Sequence, residues 1–121
     1  LYLIWRAPWM TIARDTYISA MLATVGWETL PAVHGGEAGA ARYPAFEWDA
    51  PWLEGVDRVL LSTEPYRFEA RHVDEVAALA HRPAGLIDGE MASWYGSRAI
   101  EGLRYLADLR RALSEGARAT V

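Results

Sequence analysis

A chain of 121 residues with 52% hydrophobic and 23% charged residues carries enough apolar material for one packed core, and too little charge to stay unfolded. The net charge of −4, the pI near 5.3 and twelve basic positions that are all arginine and scattered along the chain exclude the basic stripe that nucleic acid needs. No apolar run approaches the ~20 residues of a membrane span, and with no cysteine there is no disulfide, thiolate metal site or thiol nucleophile.

Leu1 to Arg6 is a short apolar run closed by Ala7-Pro8, and proline disfavours helix at the residue before it, so a buried strand is predicted. A strand at the very first residue, with no charged and apolar leader, is the start expected of a fragment whose signal lies elsewhere or has been removed. Asp15 or Thr16 can cap a helix in which Tyr17, Ile18, Met21, Leu22 and Val25 recur at helical spacing until Gly26 stops it. A weak strand is predicted over Thr29 to Val33. His34 to Ala41, nearly all Gly and Ala, reads as a mobile loop too featureless to pack.

Trp48 and Trp52 flank a short helical segment that Pro51 either limits or starts. Arg58 to Ser62 (RVLLS) is the clearest strand, followed by a helix over Glu69 to Ala80 with Val73, Val76, Ala77 and Ala80 on one face. Gly85 to Asp88 is a fourth strand, and from about Ser97 the residues Ile100, Leu103, Leu106, Ala107 and Leu113 mark a last amphipathic helix. Strands alternating with helices predict an α/β domain: a short parallel sheet with helices on both faces, joined by right-handed crossovers. Binding groups in such folds lie outside the carboxyl ends of the strands, here Arg6 to Thr11, Thr63 to Phe68 and Gly89 to Gly96.

The chain contains no P-loop, no G-x-G-x-x-G and no H-E-x-x-H. His34, His72 and His81 are too dispersed for a local metal motif; His72 falls on an exposed helix face, and His81 at a helix end suits the dipole. Glu64, Asp88 and Glu90 follow two strands and can converge. Three carboxylates there fit a magnesium-dependent or acid/base hydrolase, but with no serine, histidine or lysine at fixed spacing to complete a catalytic set, helix caps and turn acceptors are the favoured reading. Six Trp and six Tyr stand out. Trp5 and Trp27 suit the core, whereas Trp9, Tyr66, Trp94 and Tyr95 fall in the strand-end loops, where rings beside an arginine suit stacking on a large conjugated or chelated ligand.

Three segments in order and register carry a family resemblance: IWRAPWMTIARDTYISAML at 4–22, VDRVLLSTEPYRF at 56–68 and DGEMASWYGSRAIEGLRYL at 88–106. Together they resemble the C-terminal lobe of the class III periplasmic substrate-binding proteins, the helical-backbone metal receptors that deliver cobalamin, siderophore-iron or haem to ABC importers. The resemblance implies a Rossmann-like three-layer lobe over 1–113 with a frayed tail at 114–121, one half of a two-lobed protein whose N-terminal lobe and linker helix are absent from this piece. It implies no catalysis and no cofactor. The expected ligand is a metal chelate held between lobes by Trp9, Glu64, Tyr66, Trp94 and Arg98. The lobe is expected to act as a monomer in the periplasm or on a lipid anchor, meeting the membrane only through the permease.

In that family an acidic residue on a short helix meets an arginine pocket of the permease. The matching stretch here is Phe46-Glu47-Trp48-Asp49-Ala50-Pro51, which makes Asp49, with Glu47 second, the docking candidates. Family members commonly read L-E-E-L there. Pro51 departs from that pattern, and the Gly/Ala loop at 34–41 has no counterpart in it.

Overall fold

The computed structural model describes residues 1–36, 39–93 and 96–120. Three parallel strands, β1 (Tyr2–Leu3), β2 (Val59–Ser62) and β3 (Ala84–Ile87), form an open sheet in the order β1-β2-β3. The register sets Tyr2 opposite Leu60, and Leu61 opposite Leu86. All four residues of the central β2 are buried, which is why its sequence is a continuous apolar run rather than an alternating one.

Side chains alternate across the strands and build two cores. Tyr2, Leu60 and Ile87 face Met21 and Leu22 of helix α1 (Tyr17–Thr24) and Leu106 and Leu113 of helix α4 (Ala99–Thr120). Leu3, Val59, Leu61 and Ala84 face the other way, onto Val76 of helix α2 (Ala70–Ala80) and onto Phe68. The result is a small α/β domain with helical layers on both faces of a short sheet, compatible with a Rossmann-like fold. Leu113 is the last core residue of α4 among the described side chains, and the helical backbone continues through Thr120.

Local signals explain the element ends. Thr16 is extended and accepts the Ser19 N–H, capping α1, and Gly26 at φ +94° follows its last turn in the left-handed conformation that glycine adopts without steric cost. The segment expected as a strand at 29–33 is not one. Its polar groups serve Arg14 instead: the guanidinium donates to the Thr29 carbonyl at 2.5 and 3.1 Å, and the Arg14 N–H donates to the Val33 carbonyl at 2.7 Å. The sheet therefore has three strands rather than four.

The Gly/Ala stretch is also more structured than its composition implies. The amides of Gly35 and Gly36 donate to the two Asp15 carboxylate oxygens at 2.8 and 2.9 Å, and Arg42 donates to the Gly36 carbonyl. A Cβ on Gly35 would lie 2.5 Å from the backbone of Ala41 and Arg42, so only glycine permits this approach. Residues 37 and 38 lie outside the described residues.

These amides, the Gly35 one foremost, hold the Asp15 carboxyl below the ordinary aspartate range. A lowered folded value means that the contribution to stability is present above the unfolded value, about 3.9, and is lost as pH falls through the folded one. Asp15→Asn should therefore lower the melting temperature at neutral pH, and the gap to the parent should close in strong acid. A gap that stays constant with pH would show that the ionised carboxylate is not what these amides recognise.

Candidate functional site

The carboxyl ends of the strands are tied together by a buried polar network. The Tyr2 hydroxyl donates to Ser62 Oγ at 3.1 Å; Ser62 Oγ in turn donates to the Glu64 carbonyl at 2.6 Å and accepts the Glu64 N–H at 3.3 Å. Burial pushes the Tyr2 phenol up to about 12, so it remains a donor throughout the physiological range. Ser62 has no exposed surface, and its hydroxyl is engaged with both Tyr2 and Glu64.

Helix α3 (Gly89–Ala92) rests on this network. The Gly89 N–H donates to Thr63 Oγ1 at 3.0 Å, the Asp88 N–H to the Tyr105 hydroxyl at 2.9 Å, and the Met91 N–H to Asp88 Oδ1 at 3.1 Å. A Cβ on Gly89 would collide with Ser62 Oγ and lie 3.0 Å from Glu64. Absence of a side chain is what allows α3 to close over the end of β2.

Above this floor lies a cavity of about 590 Å³. Ile4, Ile12, Ile18 and Tyr43 form apolar and aromatic walls, with Glu64 and Ser93 as polar groups. Its size falls within the range of small-molecule sites, and its place at the carboxyl edge is where parallel sheets bind ligands.

The other face of the same edge holds an aromatic cluster around Phe68, which is 2% exposed. Trp9 stacks on Phe68 at 6.5 Å and meets Trp48 edge-on at 5.3 Å; Tyr66 lies 4.7 Å from Phe68. Arg6 sits over the Trp9 ring at 5.5 Å while its guanidinium grips Glu75 with two hydrogen bonds, at 3.0 and 2.6 Å. Trp9 is thus packed against protein, whereas Trp5, expected in the core, is 40% exposed and meets Tyr66 edge-on at 5.4 Å. Ala7 at φ +57° explains the exchange. It turns the chain back so that the Met10 carbonyl accepts from Ile4 and the Met10 N–H donates to Trp5, and Trp9 comes to lie against Phe68.

Glu64, Trp9 and Tyr66 therefore reach one end of the sheet but divide between its faces. Glu64 lines the cavity; Trp9 and Tyr66 belong to the cluster. Arg98 is exposed on the turn Gly96–Arg98 that leads into α4. Trp94, like Tyr95, lies outside the described residues.

Among the described residues no group of three His, Asp or Glu is placed to hold a metal ion; Asp88 accepts the Met91 N–H as the cap of α3, and Glu90 is exposed in the first turn. His72 and His81 have structural settings. His72 is buried rather than exposed: its Nδ1 accepts the Glu69 N–H at 2.9 Å in a capping box, a role usually given to Glu or Gln. His81 ends α2 in the left-handed conformation, at φ 55°.

The short helix expected near Trp48 and Trp52 is a 3₁₀ turn, Pro51–Gly55, with proline at its start. Glu47 and Asp49 are exposed just before it, where the Glu47 carbonyl accepts the Ala50 N–H. Among the described residues no helix is long and apolar enough to cross a membrane. Comparison with protein-family models, curated proteins and solved structures finds no match to this chain.

Proposed function

We propose that the chain is a ligand-capture lobe of an ABC import system for a metal chelate such as a corrinoid, a ferric siderophore or haem, working in the periplasm or on a lipid anchor. The observation that carries the reading is the apolar cavity at the carboxyl edge of the sheet, with Glu64 at its rim. The three segments that resemble class III binding proteins support it: they contribute the strand ends and α3 around that cavity. The exposed ring of Trp5, beside Tyr66, adds a flat apolar surface at the same edge. Glu47 and Asp49 are the groups offered to the permease. The lobe acts by holding its ligand, and the Asp88 carboxylate serves the fold as a helix cap.

Half of a two-lobed cleft removes from water only part of the surface that the closed pair would cover, so the lone chain should bind weakly, with Kd on the order of millimolar. Tryptophan-fluorescence titration with a corrinoid, a ferric siderophore and haem tests this, repeated with Trp5→Ala, Trp94→Ala, Arg98→Ala and Glu64→Gln. Weak binding that Trp5→Ala and Glu64→Gln each weaken several-fold is the expected result. Tight binding that survives every substitution would place the ligand elsewhere. Turnover of a chromogenic phosphate or glycoside that Glu64→Gln abolishes would replace capture with hydrolysis.

A further inference from the structure

A second cavity, of about 510 Å³, lies at the opposite end of the sheet, where β1 and β2 begin. Leu22, Trp27, Leu30 and Leu60 give it apolar walls, and two guanidiniums line it, Arg58 ahead of β2 and Arg110 on α4. Arg58 Nη1 and Arg110 Nε are buried and have no hydrogen-bond partner. Neither guanidinium has a hydrogen-bonded protein partner among the described residues, which leaves its other N–H groups for a charge-assisted bond to an anion.

The geometry around Arg110 is specific. Gly26, at φ +94°, lies so close that a Cβ there would stand 3.2 Å from Arg110 Nε and 3.3 Å from Cζ. The glycine that ends α1 thereby leaves room for the guanidinium against the backbone. Of the two carboxylates at this cavity, Glu28 already pairs with Arg14 at 3.3 Å, which leaves Asp57, exposed, against two arginines. The Leu1 nitrogen donates to the Arg58 carbonyl at 3.0 Å. The two guanidiniums are the cations among the side chains that line this cavity.

We propose that this cavity binds a small organic anion, its carboxylate or phosphate held between Arg58 and Arg110 and its apolar body against Trp27 and the three leucines. The site is separate from the carboxyl-edge cavity and does not depend on the function proposed for it.

The test is a nuclear magnetic resonance titration of the full chain that follows the Arg110 Nε–H and the Trp27 indole N–H. The probes are benzoate, phenyl phosphate and inorganic phosphate, with chloride at matched ionic strength and benzamide as controls. Saturable shifts with benzoate or phenyl phosphate, absent with chloride and benzamide, are expected. Arg58→Gln and Arg110→Gln should each weaken binding at least tenfold while the rest of the spectrum stays folded. A response to inorganic phosphate as strong as to phenyl phosphate would remove the apolar body from the proposal and overturn that part of it. Shifts that track ionic strength alone, or that survive both substitutions, would overturn the site.

Discussion

Replacing Phe68 with alanine is expected to lower the unfolding free energy by about 3–5 kcal/mol, because the ring is fully packed and its removal opens a cavity that rigid neighbours cannot fill. Trp9, Tyr66 and His72 all pack on that ring, at centroid distances of 6.5, 4.7 and 5.5 Å. Three large planar groups collapse poorly around a methyl. A domain of this size has roughly 5–15 kcal/mol of stability in all, so the variant should sit near the edge of folding. Trp5→Ala removes a ring with 40% of its surface in water and should cost far less, about 1 kcal/mol or below. Urea denaturation followed by tryptophan emission measures both. If the Trp5 variant proves the less stable of the two, the cluster is wrongly centred on Phe68.

Gly89→Ala should cost about 1–3 kcal/mol for overpacking, with a further contribution if the Ser62 hydroxyl is driven from its partners. The new methyl would overlap Ser62 Oγ and press on Glu64 at 3.0 Å. Serine has one rotatable bond with which to escape, and turning it would strand the buried Tyr2 hydroxyl, which donates to it at 3.1 Å. The pair should therefore couple. Ser62→Ala alone loses the hydrogen bonds but opens space, and Gly89→Ala should be milder in that background than in the parent. Strict additivity in a double-mutant cycle would mean that α3 relaxes by moving away from β2. In that case the floor of the carboxyl-edge cavity is softer than the network implies.

Much of the framework was legible because local signals and burial agree. The apolar run at 59–62, the Thr16 cap with Gly26 ten residues on, and the i, i+3, i+4 face of α2 each specify their element without help from distant contacts. The features that could not be read depend on tertiary partners. Thr29 to Val33 has strand-like composition, but its carbonyls are taken by Arg14, so it does not join the sheet. His72 occupies the third position of α2, where a Glu or Gln would have announced a capping box; histidine fills the role through Nδ1. The Gly/Ala stretch gave no sign of structure because it packs through backbone amides, and the partner that orders them, Asp15, is twenty residues away from Gly35.

The carboxyl-edge site was legible in position and less so in its members. Alternation along β1 cannot orient Trp5 and Trp9, since only Tyr2 and Leu3 are in the strand and the turn at Ala7 redirects the chain beyond it. Glu64 comes to the cavity because it lies two residues after the buried Ser62 and is held by it. Gly89 gave no signal of its own, because its importance lies in an approach between α3 and β2 that no spacing in the sequence encodes.

Capture of a large ligand at the carboxyl edge of the sheet is tested most directly by reading the corrinoid titration residue by residue, as amide ¹H–¹⁵N shifts with a diamagnetic cobalt(III) corrinoid carried into the millimolar range. Capture predicts saturable shifts at Ile18, Glu64, Gly89 and Ser93, around the cavity, and at the exposed Trp5 of the same sheet edge, with Trp27 and Arg58 at the far end unmoved. Shifts centred on that far end, or no shift at any amide with ferric siderophore and haem equally silent by fluorescence, would contradict it.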